Sequence, residues 1–335
     1  MAQTPASSSS NGLLAGIDIG GTKVAVCLAR PGGAGAAPQI LDRVHQPTAK
    51  TGGPDALARQ ALALLDEVCA RQQLGRAQLA GVGVSSCGPF VKQGGHIEVA
   101  NPNICGGLAG AADGPQDNDW VQVPLQAPLA QALGGTPLHI ANDAVAALEA
   151  ERRWGALTGV DDCAYVTWST GVGVGLCVDG RVLAGRNGNA GHAGHTFVGD
   201  VSGSAPVCGC GNRGDVESLV GGGSLAARLG VEGPALLAAA QRGDAQALAQ
   251  VRGLCTLMGR LLYNLVATLD LARISLGGAV FLHHQALLLA LLREQLHQHF
   301  PVLTRGVQLV PAGLGAQVGD YAALALLSGQ ASGTR

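Results

Sequence analysis

The stretch Ala190 to Glu217, AGHAGHTFVGDVSGSAPVCGCGNRGDVE, gathers two histidines, two cysteines and three acids among glycines. Such a set offers donors for a metal, polar groups for a hydroxylated substrate, or nothing more than a glycine-rich surface loop. A second candidate lies near the start. GIDIGGTK, Gly16 to Lys23, is neither a Walker A loop nor a dinucleotide fingerprint. It nevertheless suits an anion: Gly20 and Gly21 let backbone N–H groups turn into a concave nest, while Thr22 and Lys23 add donors. Asp18 ends an otherwise apolar strand, where a bare carboxylate is costly unless donors or a cation meet it, and Mg2+ held through water would do so. The turn also reads as a tight hairpin with no ligand. Against that stands a second glycine turn, Ser169 to Gly173 with Thr170 and Gly171, since two such turns in two lobes grip a polyphosphate from both sides. Asp143, next to Asn142 at a helix start, is by itself an ordinary capping carboxylate.

These residues need elements to hold them. Leu13–Ile19 and Lys23–Ala29 read as a hairpin around the first turn, Ala164–Trp168 and Val172–Val178 as a hairpin around the second, with Asp179-Gly180 signalling a further turn. The spacing of Leu57, Ala61, Leu64, Leu65 and Val68 predicts a helix over Pro54–Arg71, with Pro54 in its first turn. Strands are expected at Leu79–Ser85, Arg273–Leu276 and Val307–Val310; helices at Asp143–Arg153, Leu248–Leu269, His283–His299 and from Val318 to Leu327. Gly277-Gly278 is a turn after a strand, and Gly221 to Gly223 read as a loop before a helix. His283, His284, His297 and His299 read as a solvated helix face. Alternating strands and helices with a hairpin opening each half imply an α/β protein with mixed sheets and a cleft between two lobes.

The totals bound the function. The chain has 335 residues, a formal net charge of -2 and only 3% aromatic residues, which disfavours nucleic-acid binding by phosphate neutralisation or base stacking. No apolar run is long enough for a membrane span. Nine cysteines without a secretory leader, most of them in apolar runs (Cys27, Cys69, Cys163, Cys177, Cys255), point to a reducing cytoplasm. Residues 1–12, rich in serine, read as a disordered tail.

Taken in order, the motifs resemble the ROK sugar kinases (repressor, open reading frame, kinase), whose fold is the actin-like, ribonuclease-H-like two-lobe ATPase. DIGGTK resembles the first phosphate motif of that family, and GVGVSSCGP with NPN its sugar-side loops, which carries Gly88 and Asn103 over as sugar contacts. ANDAVAALEAE is similar to the catalytic Asn-Asp at a helix start. STGVGVGLCVDGRVLAGRNGNAGHAGH is similar to the second phosphate motif running into the sugar segment. CGCGNRGDVE resembles the C-x-C-G-x-x-G-C-x-E signature, and ISLGGAV, with Gly277 and Gly278, the nucleotide-side turn.

The resemblance implies ATP and Mg2+, a hexose-like acceptor phosphorylated at an alcohol, most simply the 6-hydroxyl, and a homodimer. It implies Asp143 as general base beside Asn142, with His192, His195 and Glu217 on the sugar. It implies a nucleotide site built on Asp18, Gly20, Gly21, Thr22, Lys23, Thr170, Gly171, Gly173, Gly277 and Gly278. It implies lobes of 13–140, completed by a helix at about 318–332, and 141–317, with the zinc-type loop at 192–217. Two departures stand out. His192 replaces the usual glutamate and is similar to the N-acetylmannosamine kinase branch. Asp215 replaces the third cysteine of a structural zinc site, which leaves His195, Cys208, Cys210 and Asp215 as its ligands. A glucokinase- or fructokinase-type hexokinase is the alternative; so is a sugar-sensing regulator, although the family's regulators carry a helix-turn-helix ahead of the first motif and only 12 residues precede Leu13 here.

Overall fold

The computed structural model describes residues 12–108, 117–199 and 205–327. Strands β1 (Leu14–Ile19), β2 (Lys23–Arg30), β3 (Gln39–Pro47), β4 (Gly81–Ser86), β5 (Phe90–Gln93), β6 (His96–Val99), β7 (Val123–Pro124) and β8 (Leu138–Asn142) occupy the first part of the chain. Strands β9 (Cys163–Trp168), β10 (Val172–Val178), β11 (Arg181–Val182), β12 (Arg273–Gly277) and β13 (Gln308–Pro311) occupy the second. They form two five-stranded sheets, ordered β3-β2-β1-β4-β8 and β11-β10-β9-β12-β13, and a small sheet β5-β6-β7. The two larger sheets share one plan. In each, an antiparallel hairpin is followed by two strands added parallel to its first strand. That duplication is what the pair of glycine-turned hairpins led one to expect.

Each central strand turns one apolar face to the core, Ala15, Ile17 and Ile19 of β1 and Val82 and Val84 of β4, all buried, while Gly16 and Gly83 on the opposite face are buried too. Such strands need cover on each side. Helix Ala56–Arg71 supplies it on one side, with Leu57, Ala61, Leu64, Leu65 and Val68 buried. Its first residue is Ala56 rather than Pro54, because the Ala56 N–H is taken by Gly53 O in a turn just ahead of the helix. Helix Val318–Ala325 covers the other side so closely that a Cβ on Gly83 would collide with Ala323 O. The glycine inside that strand is therefore a packing requirement. Residues 328–332 of the expected helix lie outside the described residues.

Helix Asp143–Trp154 lies on the second sheet and packs against Val318–Ala325, so two helices sit back to back between the sheets. Glycines 173 and 175 of β10 let the helix approach: a Cβ on Gly173 would lie 3.2 Å from Ala144 Cβ, and one on Gly175 2.8 Å from Leu148 Cβ. At the far end of this helix Glu151 is fully buried, yet its carboxylate accepts from Ala156 N, Gly313 N and Leu314 N and from Ser275 Oγ. Four donors satisfy a buried carboxylate. The 25-residue helix Ala245–Leu269, capped by Asp244 on Ala247 N, and helix Gln285–His297 enclose the core of the second half. His283 and His297 are exposed as expected, whereas His284 bonds Gln241 and His299 stacks on Tyr263.

Candidate active site

The carboxyl ends of β1, β4 and β8 lie side by side, with Asp18 opposite Ser85 and Ser86 opposite Asn142. Open α/β sheets bind ligands at such edges. The Asn142 side chain caps the following helix by accepting from Ala144 N at 3.1 Å, and Asp143 is the first helical residue, its Oδ1 accepting from the same N–H at 2.8 Å. A carboxylate has about four acceptor positions, so with this one N–H on Oδ1 the Asp143 side chain keeps acceptor capacity. Its side chain reaches solvent while protein crowds round the carboxylate, and this desolvation raises its pKa to about 6, against the pull of Ala144 N and Asn142 and aided by the charge of Glu217. Asp18, half-buried and bonded by Ser85 Oγ at 3.2 Å, is also raised to about 6, first by burial and next by the Asp143 charge. Asp143 is therefore near enough for its charge to act on Asp18.

The first glycine turn closes through Gly20 N to Lys23 O at 2.9 Å and is braced by Thr48, whose Oγ1 donates to Gly20 O and whose N–H donates to Thr22 O. A Cβ on Gly21 would stand 2.7 Å from Asn103 Cβ, so the first glycine turn touches the loop that carries Asn103. Thr22 and Lys23 are exposed at its tip. In the second turn, Ser169 N donates to Gly171 O, and Ser169 O and Thr170 O accept from Gly222 N and Gly223 N. Gly222 and Gly223 are therefore in the first turn of helix Gly222–Leu229, not in a loop, and they hold the second turn in place. Gly278, at φ +87°, packs on Trp168, and Gly277 packs on Tyr165. The glycine segments 169–171, 221–223 and 277–278 thus meet in one place, while Gly173 serves the approach of helix Asp143–Trp154.

Next to Asn142, a Cβ on Gly88 would lie 2.9 Å from His192 Nε2 and 3.1 Å from Asn142 Nδ2, so residues from both halves of the chain converge there. His192 Nδ1 donates to Asn189 O at 3.0 Å, which leaves Nε2 a bare acceptor. Burial lowers its pKa and keeps the ring neutral. Asn103 N donates to Asn101 Oδ1 at 2.8 Å, and Asn101 Nδ2 bonds Gly88 O. Glu217 is engaged already: Oε2 accepts from Val172 N at 2.9 Å and Oε1 from Cys208 Sγ at 3.5 Å, so it braces the second turn. Asn101, Asn189 and Ser85 were not foreseen. All three lie inside quoted motifs, Asn101 in NPN, Ser85 in GVGVSSCGP and Asn189 in the stretch ending AGHAGH, but nothing local singled them out.

His195 Nδ1, Cys208 Sγ, Cys210 Sγ and an Asp215 carboxylate oxygen lie within 4.8 Å of one another, the one such group among the described residues. The spacings are 3.1 Å for His195 to Asp215, 3.3 Å for Cys210 to Asp215 and 3.6 Å for Cys208 to His195. Ligands around tetrahedral zinc stand about 3.3–3.8 Å apart, so the donor types suit that ion and the two sulfur spacings fall in its range, while His195 and Asp215 stand closer, at hydrogen-bond distance. Asp215 is fully buried. Burial would raise its pKa, but bonds from His195, Ser218 and Cys210 outweigh this and hold it low. Its Oδ1 meanwhile caps helix Val216–Val220 through Ser218 N at 2.9 Å, so the loop and the helix carrying Glu217 hang on one carboxylate.

Residues 14–330 match the ROK family. The chain belongs to the ROK family. Among curated ROK relatives, the N-acetylmannosamine kinase of Citrobacter koseri is 35% identical over 269 residues, 79% of this chain and 82% of that protein. The crystal structure of a ROK hexokinase from Thermus thermophilus is 31% identical, with a TM-score of 0.67 over 93% of this chain and 97% of the other. That of a ROK glucokinase from Streptomyces griseus, in complex with glucose and AMPPNP, is 26% identical, with a TM-score of 0.68 over 93% and 98%. The ROK fold, with its two lobes, is thus common to this chain and to those kinases, and no helix among the described residues is long and apolar enough to cross a membrane.

Proposed function

We propose that this ROK sugar kinase transfers the γ-phosphoryl group of ATP to the 6-hydroxyl of N-acetylmannosamine. One observation carries the catalytic part: Asp143 stands at a helix start with its carboxyl raised to about 6, its charge acting on Asp18 at the end of β1. A base near the working pH is suited to take a hydroxyl proton. As the sugar oxygen bonds the γ-phosphorus, its proton passes to Asp143 and the bond to the β,γ-bridging oxygen breaks, releasing ADP. Phosphoryl transfer asks the protein chiefly for position and charge stabilisation. Gly20, Gly21, Thr22, Lys23, Thr170 and Gly171 supply amides, a hydroxyl and an ammonium to the phosphates, with Gly277 and Gly278 on the nucleotide side. Mg2+, held by Asp18 through water, would neutralise phosphate charge.

Gly88, Asn103, Asn142, His192 and Glu217 line the sugar subsite in this reading, and the His195 Nε2 faces it while Nδ1 serves the cluster. Zinc held by His195, Cys208, Cys210 and Asp215 would fix that loop. The lean to N-acetylmannosamine rests on His192, an acceptor where a carboxylate is usual, and on the named activity of the Citrobacter koseri relative. Lobes of 13–140 with the C-terminal helix, and 141–317, would close on the substrates, and the working form is a cytoplasmic homodimer. A coupled ATP-consumption screen over glucose, mannose, fructose, N-acetylglucosamine and N-acetylmannosamine tests the substrate. We expect N-acetylmannosamine to lead in kcat/KM; a lead for glucose or fructose would put the hexokinase reading in its place.

A further inference from the structure

The two halves of the sugar subsite come from different lobes, so something must hold them in register. The loop after β11 reaches across at Asn189. Its side-chain amide makes two bonds to one residue of β5: Phe90 N donates to Asn189 Oδ1 at 2.7 Å, and Asn189 Nδ2 donates to Phe90 O at 2.8 Å. An asparagine amide used in this way stands in for one rung of a strand pair. Nearby, Lys92 Nζ donates to Arg186 O at 3.2 Å. The same Asn189 accepts His192 Nδ1–H through its main-chain oxygen, and His192 Nε2 then faces Gly88, two residues ahead of Phe90.

From this geometry we infer that Asn189 is a positioning residue that clasps the lobes on the sugar side and presents the His192 Nε2 as a hydrogen-bond acceptor. The side-chain bonds fix where the loop stands relative to Gly88, and the main-chain bond fixes the His192 ring. The two sides of the sugar subsite are thereby held in register across the cleft. A clasp made by one side chain lies in neither glycine turn, so it bears on the sugar and not on the phosphates. This inference rests on the reading of His192 as a sugar contact.

Two measurements on full-length protein test it, one of which needs no sugar. Amide hydrogen exchange at Phe90 should speed up about tenfold or more in Asn189→Ala, as one of its bonds is lost; an unchanged rate would show that there is no clasp. Calorimetric titration with N-acetylmannosamine should give about a tenfold weaker Kd in Asn189→Ala, with the KM for ATP within about twofold of wild type. In a His192→Ala background, Asn189→Ala should add almost nothing, since the position it sets is empty. Full additivity, or an equal loss for ATP and sugar, would overturn the positioning role. Asn189→Gln, which keeps the amide on a longer stem, should recover part of the lost affinity. Wild-type protein that binds no sugar in the titration, with Phe90 exchange still dependent on Asn189, would sink the substrate reading and the His192 role while leaving the lobe contact standing.

Discussion

At the scale of single residues, the site divides one chemical task between neighbours. Asn142 and Asp143 share the Ala144 N–H at the helix start, and burial leaves the Asp143 carboxylate raised to about 6. Replacing it by asparagine should lower kcat by about 100- to 10,000-fold while sugar affinity in a titration stays nearly constant, because only the proton acceptor is lost. In wild type, the rate should fall about tenfold per pH unit below about 6, where the base becomes protonated. A flat profile down to pH 5 would exclude Asp143 as the base. Asp215 has a double duty, one oxygen in the metal cluster and one on Ser218 N. Protein purified without chelator should hold zinc in wild type and in Asp215→Cys, and much less in Asp215→Ala. Equal metal content in all three would remove Asp215 from the ligand set.

At the scale of elements, glycines set how closely helices approach sheets. Gly175 faces Ala144 O and Leu148 on the helix that begins with Asp143. Gly175→Ala should push that helix away, at a cost of about 1–3 kcal/mol in stability, and lower kcat with it. Gly253, exposed on helix Ala245–Leu269 with nothing near its Cα, should behave in the opposite way. There Gly253→Ala should stabilise by about 0.5–1 kcal/mol, since helix propensity alone is at stake. Thermal melts of the two variants check the contrast. If both shift in one direction, close approach is not what Gly175 provides.

At the scale of the whole molecule, crowding protein round two neighbouring acids has a consequence for stability. Asp18 and Asp143 titrate near 6 in the folded protein and near 3.8 when free. Between these values the native state binds protons that the unfolded chain does not, so their contribution to stability rises as pH falls from about 6 towards 4. At neutral pH both are charged and their effect is destabilising. An Asp18→Asn/Asp143→Asn double variant should therefore melt above wild type at pH 7, with the difference shrinking by pH 5. A difference that is constant with pH would mean that the acids do not share their burial. Bound Mg2+ and nucleotide should raise the wild-type Tm at pH 7 more than that of the double variant, by mass action on the charged pair.

Local chemistry decided much of this protein. The two glycine-turned hairpins, the helix over residues 56–71, the capped helix at Asp143 and the donor set of the 195–215 loop were legible because turn, cap and period signals act over a few residues. Strand β3 was not, since QILDRVHQP is a mostly exposed edge strand with little alternation, nor was the small sheet β5-β6-β7 of two- to four-residue strands. Tertiary structure alone decided the rest: that the charge of Asp143 acts on Asp18, 125 positions away by their numbers, that Gly222 and Gly223 brace the second turn, and that Asn189 reaches Phe90. Burial and long-range contact belong to the packed chain. No window of neighbouring residues contains them.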